Sequence, residues 1–145
     1  MHNARILLAD DHKEMRDSVQ RCLEEEFNVI GAVADGAALL EAAAQMDPDV
    51  CLLDISMPNL NGIEVANQLK ERGSRAKVIF LTIHEDMDFA QAALKTGASG
   101  YVVKRRMASD LLRAVREALA GRIFISSSII SSIGIDQDEV PKPAA

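Results

Sequence analysis

Val50-Cys51-Leu52-Leu53-Asp54 runs four apolar residues into a single carboxylate. The run is short and begins on a β-branched residue. Asp47-Pro48-Asp49 bounds it before, and Ser56-Met57-Pro58-Asn59 after. A brief unbroken apolar run between turn signals predicts a strand buried on both faces, as in a parallel sheet. Its last residue then stands at the carboxyl edge of that sheet, where open α/β folds place ligands and chemistry. Asp54 is therefore the first candidate for a reactive group.

Working outward, the same reading recurs. Arg5 to Ala9 is a compact apolar strand that ends at Asp10-Asp11. From His12 onward apolar positions recur at Met15, Val19, Cys22, Leu23 and Phe27, one face of a helix. Val29 to Ala34 reads as a second strand and Ala37 to Met46 as an Ala/Leu-rich helix. After the Asp54 strand, Asn61-Gly62 marks a turn. Ile63 to Arg72 is helical, and Gly73 is its stop. Lys77 to Thr82 is a fourth strand, Asp86 to Thr96 a helix, Gly100 to Val103 a fifth strand and Ala108 to Ala120 a last helix. Strict alternation with short connections demands right-handed crossovers, a parallel sheet and helices on both faces. The expected fold is α/β, a flavodoxin-like, doubly wound, five-stranded parallel sheet of order 2-1-3-4-5 with five helices.

Composition agrees. The 145 residues suit one domain, and 48% apolar with 26% charged residues excludes a wholly disordered chain. A net charge of −6 argues against nonspecific nucleic-acid binding. No apolar run approaches the roughly 20 residues of a membrane span, and the N-terminus is not a signal peptide. Cys22 and Cys51 lack metal-ligand spacing and read as small buried hydrophobes in a reducing cytoplasm. Residues 1–122 form the expected domain. Residues 123–145 read as a short amphipathic helix over 126–133, capped by Ser126 or Ser127, and then a linker or tail.

The strand ends carry the chemistry: Asp10 and Asp11, Asp54, Thr82 and Lys104. In the 2-1-3-4-5 order these converge on one pocket around Asp54. Three crowded carboxylates repel, and each would have its pKa raised. A hard cation with oxygen ligands relieves this, and Mg²⁺ fits. Asp54 can then attack phosphorus to give an acyl phosphate. Lys104 and the Thr82 hydroxyl suit the charge that spreads over the transferring group.

Asp10-Asp11, Asp54 in D-I-S-M-P-N-L-N-G, Thr82, and G-A-S-G-Y-V-V-K ending at Lys104 together resemble a response-regulator receiver domain of bacterial two-component signalling. N-L-N-G-I-E-V-A, G-A-S-G-Y-V-V-K and the stretch from Asp110 to Ser126 resemble the NarL/FixJ subfamily most. The resemblance implies that a partner sensor histidine kinase phosphorylates Asp54. It implies that Asp11, Asp54 and the Ser56 backbone carbonyl bind Mg²⁺, with Asp10 acting mainly through water. It implies that Thr82 and Lys104 hold the phosphoryl oxygens, and that Tyr101 is an aromatic switch turning inward as Thr82 moves. The output face would be the helix at 86–96, strand five and the helix at 108–120, with a possible homodimer on phosphorylation. One departure stands out. Proline, often after a cis peptide, usually follows the family lysine, and here Arg105-Arg106 follows. A cis bond before a non-proline residue costs about 2.5–4 kcal/mol, so the loop after strand five is expected to differ.

Blander readings stand beside these. Asp10-Asp11 suits a helix cap, and Lys104-Arg105-Arg106 a solvated basic patch. His12 reads as a solvent-facing helix start, and Asp35 and Glu24-Glu25-Glu26 as solvated. His84, two residues past Thr82, lies near the pocket mouth and is expected to affect water access. In function, a phosphoryl-accepting switch competes with a Mg²⁺-dependent phosphatase on the same fold. A flavin module lacks an aromatic-lined pocket. The switch reading makes the chain no enzyme beyond its own phosphoryl transfer and dephosphorylation. Relatives of this subfamily usually carry a C-terminal helix-turn-helix domain, and this chain stops where that domain would begin. Transcription regulation through a DNA-binding domain absent from this chain is expected, with a stand-alone receiver acting by protein contacts as the alternative.

Overall fold

The computed structural model describes residues 3–129. Strands and helices alternate as β1 (Arg5–Ala9), α1 (Lys13–Glu24), β2 (Asn28–Val33), α2 (Gly36–Met46), β3 (Val50–Leu53), α3 (Gly62–Glu71), β4 (Lys77–Thr82), α4 (Met87–Lys95), β5 (Gly100–Val103), α5 (Met107–Leu119) and β6 (Phe124–Ile125). All strand pairs are parallel, and the sheet order is β2-β1-β3-β4-β5-β6. The expected order 2-1-3-4-5 is present, with one further strand outside β5.

Successive side chains of a strand face opposite ways, and both faces of this sheet are covered. Val50 and Leu52 pack with Ile6, Leu8 and the α1 and α5 residues Val19, Leu23, Leu111 and Val115. Cys51 and Leu53 pack the other way, with Leu7, Ala9 and the α2 and α3 residues Leu39, Leu40, Val65 and Leu69. All four β3 residues have 0% exposure, which is why that run has no polar alternation. Each buried aliphatic side chain contributes about 1.5–3 kcal/mol, so β3 is pinned from both sides and Asp54 inherits a rigid base. Burial also pushes the free Cys51 thiol up to about 12, which keeps it an inert core residue.

Two local devices aim the elements at that edge. Asn61 caps α3 by accepting from the Glu64 N–H at 2.9 Å, while the Glu64 carboxylate accepts from the Asn61 N–H at 3.1 Å. Gly62 lies so close to Asp54 that a Cβ there would sit 2.3 Å from the Asp54 carbonyl oxygen. Only glycine lets α3 start against the backbone of the reactive strand. Asp35, expected to be solvated, instead caps α2 by accepting from the Ala38 N–H at 2.8 Å. Glu26 likewise pairs with Arg116 of α5.

The C-terminal part differs from expectation. Phe124 and Ile125 pair with Gly100 and Tyr101, extending the sheet as β6. Ser126 reaches across the chain. Its Oγ accepts from the Val103 N–H at 3.1 Å and donates to Asp110 Oδ2 at 2.9 Å. Residues 127–129 are helical, and Ile129 is buried in the core on the α2–α3–α4 side of the sheet. The rest of the helix expected over 126–133, and the tail, lie outside the described residues. The outer edge of β5 is therefore covered by the chain itself, so the expected output face of α4, β5 and α5 is not bare at its strand. Among the described residues no peptide bond is cis. Lys104–Arg106 makes one 3₁₀ turn straight into α5.

Candidate functional site

The carboxyl ends of β1, β3 and β5 bring Asp10, Asp54 and Lys104 into direct contact. Lys104 Nζ lies 2.9 Å from Asp10 Oδ2 and 3.0 Å from Asp54 Oδ2. All three side chains are at least nine-tenths buried, at 8% exposure for Lys104, 2% for Asp10 and 5% for Asp54. The other Asp54 oxygen accepts from the Ser56 N–H at 3.2 Å. Asp10 Oδ1 accepts from the His12 N–H at 2.9 Å. Asp11 is exposed at the rim, 3.0 Å from His12 Nδ1. His12 is solvent-facing as expected, but its ring also borders the acidic pair.

Two acids share one base here, and the protonation equilibria reflect it. Burial pushes the Asp54 carboxyl above the usual carboxylate range, and Asp10 adds to this, while Lys104 and the Ser56 N–H oppose it. Burial by itself would pull Lys104 down, but the hydrogen bonds to Asp10 and Asp54 outweigh it and hold the ammonium above its ordinary value. The pocket thus contains a firmly charged cation and an under-compensated carboxylate.

Carboxylate oxygens of Asp10, Asp11 and Asp54, with a ring nitrogen of His12, lie within 4.8 Å of one another. A donor set dominated by carboxylates suits a hard divalent cation. The ammonium of Lys104, bonded to two of the carboxylates, shows that the pocket is arranged around positive charge.

The remaining expected residues meet through an unexpected one. Thr82 is fully buried, and its Oγ1 accepts from the His84 N–H at 3.1 Å. Tyr101, also fully buried, donates from its hydroxyl to the His84 carbonyl at 2.8 Å. The His84 Nε2 lies 2.6 Å from Ser56 Oγ, and its ring stacks on Phe89 with centroids 4.0 Å apart. His84 stands at the pocket mouth, as its position after Thr82 implies. The sequence held no sign that it would join Ser56, Thr82 and Tyr101. Tyr101 already lies inward, with Asp54 as a plain carboxylate bonded to Lys104. Burial raises its phenol well above the usual range, with Asp86 and Glu85 adding to the effect.

The basic turn is not a loose patch. Arg105 Nε and Nη2 donate to Glu85 at 2.8 and 2.7 Å, and Arg106 Nε donates to Asp110 at 3.2 Å. A cavity of about 260 Å³ lies at the opposite edge of the sheet, lined in part by Lys70, Arg75 and Lys77. The C-terminal ends of α3 and α4 point there, so these cations offset helix dipoles and the cavity is remote from the carboxylates.

The site is thus an acidic pocket with a central lysine at the carboxyl edge of a doubly wound α/β domain. Residues 6–116 match the response regulator receiver domain, and the chain belongs to that family. Within it the similarity runs to regulators of the NarL and LuxR type. The chain is 38% identical over 130 residues to the transcriptional regulatory protein DegU of Brevibacillus brevis, covering 88% of this chain and 55% of that protein. It is 34% identical over 128 residues to the nitrate/nitrite response regulator protein NarL of Escherichia coli K12, covering 87% and 59%. A crystal structure of a LuxR-family two-component response regulator from Aurantimonas sp. SI85-9A1 superposes with a TM-score of 0.87 at 31% identity, covering 91% of this chain and 96% of that one. The chain spans somewhat over half the length of these two curated relatives. Among the described residues no helix is long and apolar enough to cross a membrane.

Proposed function

We propose that the chain is a phosphoryl-accepting switch, in which Asp54 takes a phosphoryl group from the phosphohistidine of a sensor histidine kinase. The observation that carries this reading is the meeting of Asp10, Asp11, Asp54 and Lys104 at the carboxyl edge of the sheet. An Asp54 carboxylate oxygen is the nucleophile. Its bond to phosphorus forms as the phosphorus–nitrogen bond to the kinase histidine breaks, and the ring nitrogen keeps the electron pair. Lys104 leaves Asp54 Oδ2 and follows the negative charge to a phosphoryl oxygen. The Thr82 hydroxyl turns from His84 to donate to another. Asp11, Asp54 and the Ser56 backbone carbonyl would hold Mg²⁺, with Asp10 beside them. Bound Mg²⁺ supplies neutralisation of the clustered carboxylates and of the transferring group. Hydrolysis of the acyl phosphate returns the domain to its starting state, and His84 beside Ser56 governs the approach of water.

For output we assign transcription regulation, since the relatives include a named transcriptional regulator. Residues 1–122 are the receiver, and residues 123–145 lead from it. DNA contact belongs to a C-terminal domain outside this sequence, with a homodimer on phosphorylation. The setting is cytoplasmic, where the kinase phosphohistidine is presented.

The test is labelling by a small acyl phosphate with Mg²⁺, followed by borohydride trapping and mass spectrometry. One label per chain on Asp54 is expected. Labelling that survives Asp54→Ala, or that needs no divalent metal, overturns the assignment. Sustained turnover of a soluble phosphate ester would instead make the chain an enzyme.

A further inference from the structure

The proposed reaction gives no role to Glu85 or Arg105, yet these two join the loops on either side of the pocket. Glu85 lies in the β4–α4 connection, and Arg105 in the 3₁₀ turn after β5. The guanidinium meets the carboxylate through two nitrogens, Nη2 to Oε1 at 2.7 Å and Nε to Oε2 at 2.8 Å. Such a bidentate fork fixes orientation as well as distance. Each partner holds the other charged: Arg105 lowers the Glu85 carboxyl, and Glu85 raises Arg105.

The residue beside Glu85 is His84, whose backbone holds both switch side chains. Its N–H is on Thr82 Oγ1 and its carbonyl receives the Tyr101 hydroxyl. Fixing Glu85 therefore fixes the peptide that keeps Tyr101 inward. The other contacts of His84, to Ser56 and Phe89, are made by its ring.

We propose that Arg105 is a positioning residue: through Glu85 it clamps the β4–α4 loop and biases Tyr101 towards its inward place before any phosphoryl group arrives. The domain then has a built-in basal level of the inward arrangement, tuned by this ion pair alongside the Ser128 bond to Glu85. The pair is partly exposed, at 58% for Arg105 and 38% for Glu85. Exposed pairs of good geometry shift an equilibrium by a factor of about two to five, so the clamp tunes the balance and does not lock it. Only the consequence of the clamp rests on the phosphoryl-switch reading, since the inward bias itself requires no reaction at Asp54.

Tyr101 is the single tyrosine of the chain, and there is no tryptophan. Acrylamide quenching of tyrosine emission therefore reports this one side chain in the full-length protein. While the outward form is the minor one, its population scales with the equilibrium constant. Arg105→Ala and Glu85→Gln should each raise the quenchable fraction about two- to five-fold. Arg105→Lys, which keeps the charge but not the fork, should fall between. The exchanged pair, Arg105→Glu with Glu85→Arg, should return towards wild type. Raising NaCl to about 1 M, where the Debye length is about 3 Å, should move wild type towards Arg105→Ala and leave that variant unchanged. Equal quenching in wild type and both single variants overturns the proposal, as does failure of the exchanged pair to restore protection. Should a variant unfold, the salt titration of wild type still decides. Carrying Asp54→Ala in parallel separates the two claims, since the quenching contrast should persist in it whether or not Asp54 is the phosphoacceptor.

Discussion

Asp54 and Asp110 are both buried carboxylates, but their surroundings differ in kind. Asp110 receives Arg106 Nε and Ser126 Oγ on one oxygen and Ser109 Oγ on the other. Every neighbour is a donor, and the cluster ties α5 to β5 and to the segment after β6. Asp54 receives Lys104 and one N–H, and shares the lysine with Asp10. Burial marks neither residue as reactive. The distinction lies in satisfaction: Asp110 has its demand met by fixed donors, while Asp54 sits among further carboxylates and stays under-compensated. A group in that second situation has a use for an incoming cation or phosphoryl group.

The comparison can be broken in four ways, beginning with the largest effect. Asp54→Ala should reduce acyl-phosphate labelling to background, and Asp110→Ala should leave one label per chain. Labelling lost in Asp110→Ala protein that is still folded by circular dichroism would show that the two sites are not separate. Next, Asp110→Ala should lower stability by about 2–4 kcal/mol, because it strips partners from a buried serine and a half-buried arginine. Urea unfolding followed by circular dichroism measures this, and a loss below about 0.5 kcal/mol would deny Asp110 its structural role.

The third way uses pH. The folded-state pKa of Asp54 is raised, so the native state binds its proton more tightly than the unfolded chain. Such a group favours folding below the ordinary carboxylate range, and that contribution is lost as pH rises through the unfolded value towards the folded one. Asp54→Asn should therefore be more stable than wild type at neutral pH. The gain should shrink to nothing as pH falls to about 3, below the ordinary aspartate value. Denaturant midpoints across that range give the answer, and a variant less stable than wild type at neutral pH contradicts the under-compensation of Asp54. The smallest effect concerns Lys104→Ala. Removing the shared ammonium leaves the carboxylates uncompensated, so Mg²⁺ should bind as tightly as in wild type or tighter. A Mg²⁺ titration showing a large loss of affinity would count against the phosphoryl-binding role of Lys104.

Much of this molecule is set by short-range pattern. The strands from Arg5, Val50, Lys77 and Gly100 and the helix faces of Val19/Leu23 and Leu111/Val115 follow from side-chain periodicity, which covalent geometry fixes locally. Strict alternation of those elements leaves few topologies, so the strand-end residues Asp10, Asp54 and Lys104 could be placed in one pocket before any coordinates. Asn61 with Glu64 carried a capping-box signal that the turn pair Asn61-Gly62 obscured.

Other features had no local signal. A two-residue strand such as Phe124–Ile125 shows no period, and it exists only because the edge of β5 is there to receive it. The Ser126 hydroxyl, next to a helix start, suits a cap by sequence. Its partner is instead Asp110, 16 residues away, and the two are joined by the packing of α5. Glu85 and Arg105 are 20 residues apart, and no local pattern pairs them. His84 has a backbone that serves Thr82 and Tyr101 and a ring that serves Ser56, choices made by the path of the β4–α4 loop. The sequence by itself determined the elements, their order and the acidic pocket, because periodicity and strand-end position are properties of neighbouring residues. Tertiary structure alone decided which polar groups pair across the chain, because a donor takes whichever acceptor the fold brings within about 3 Å.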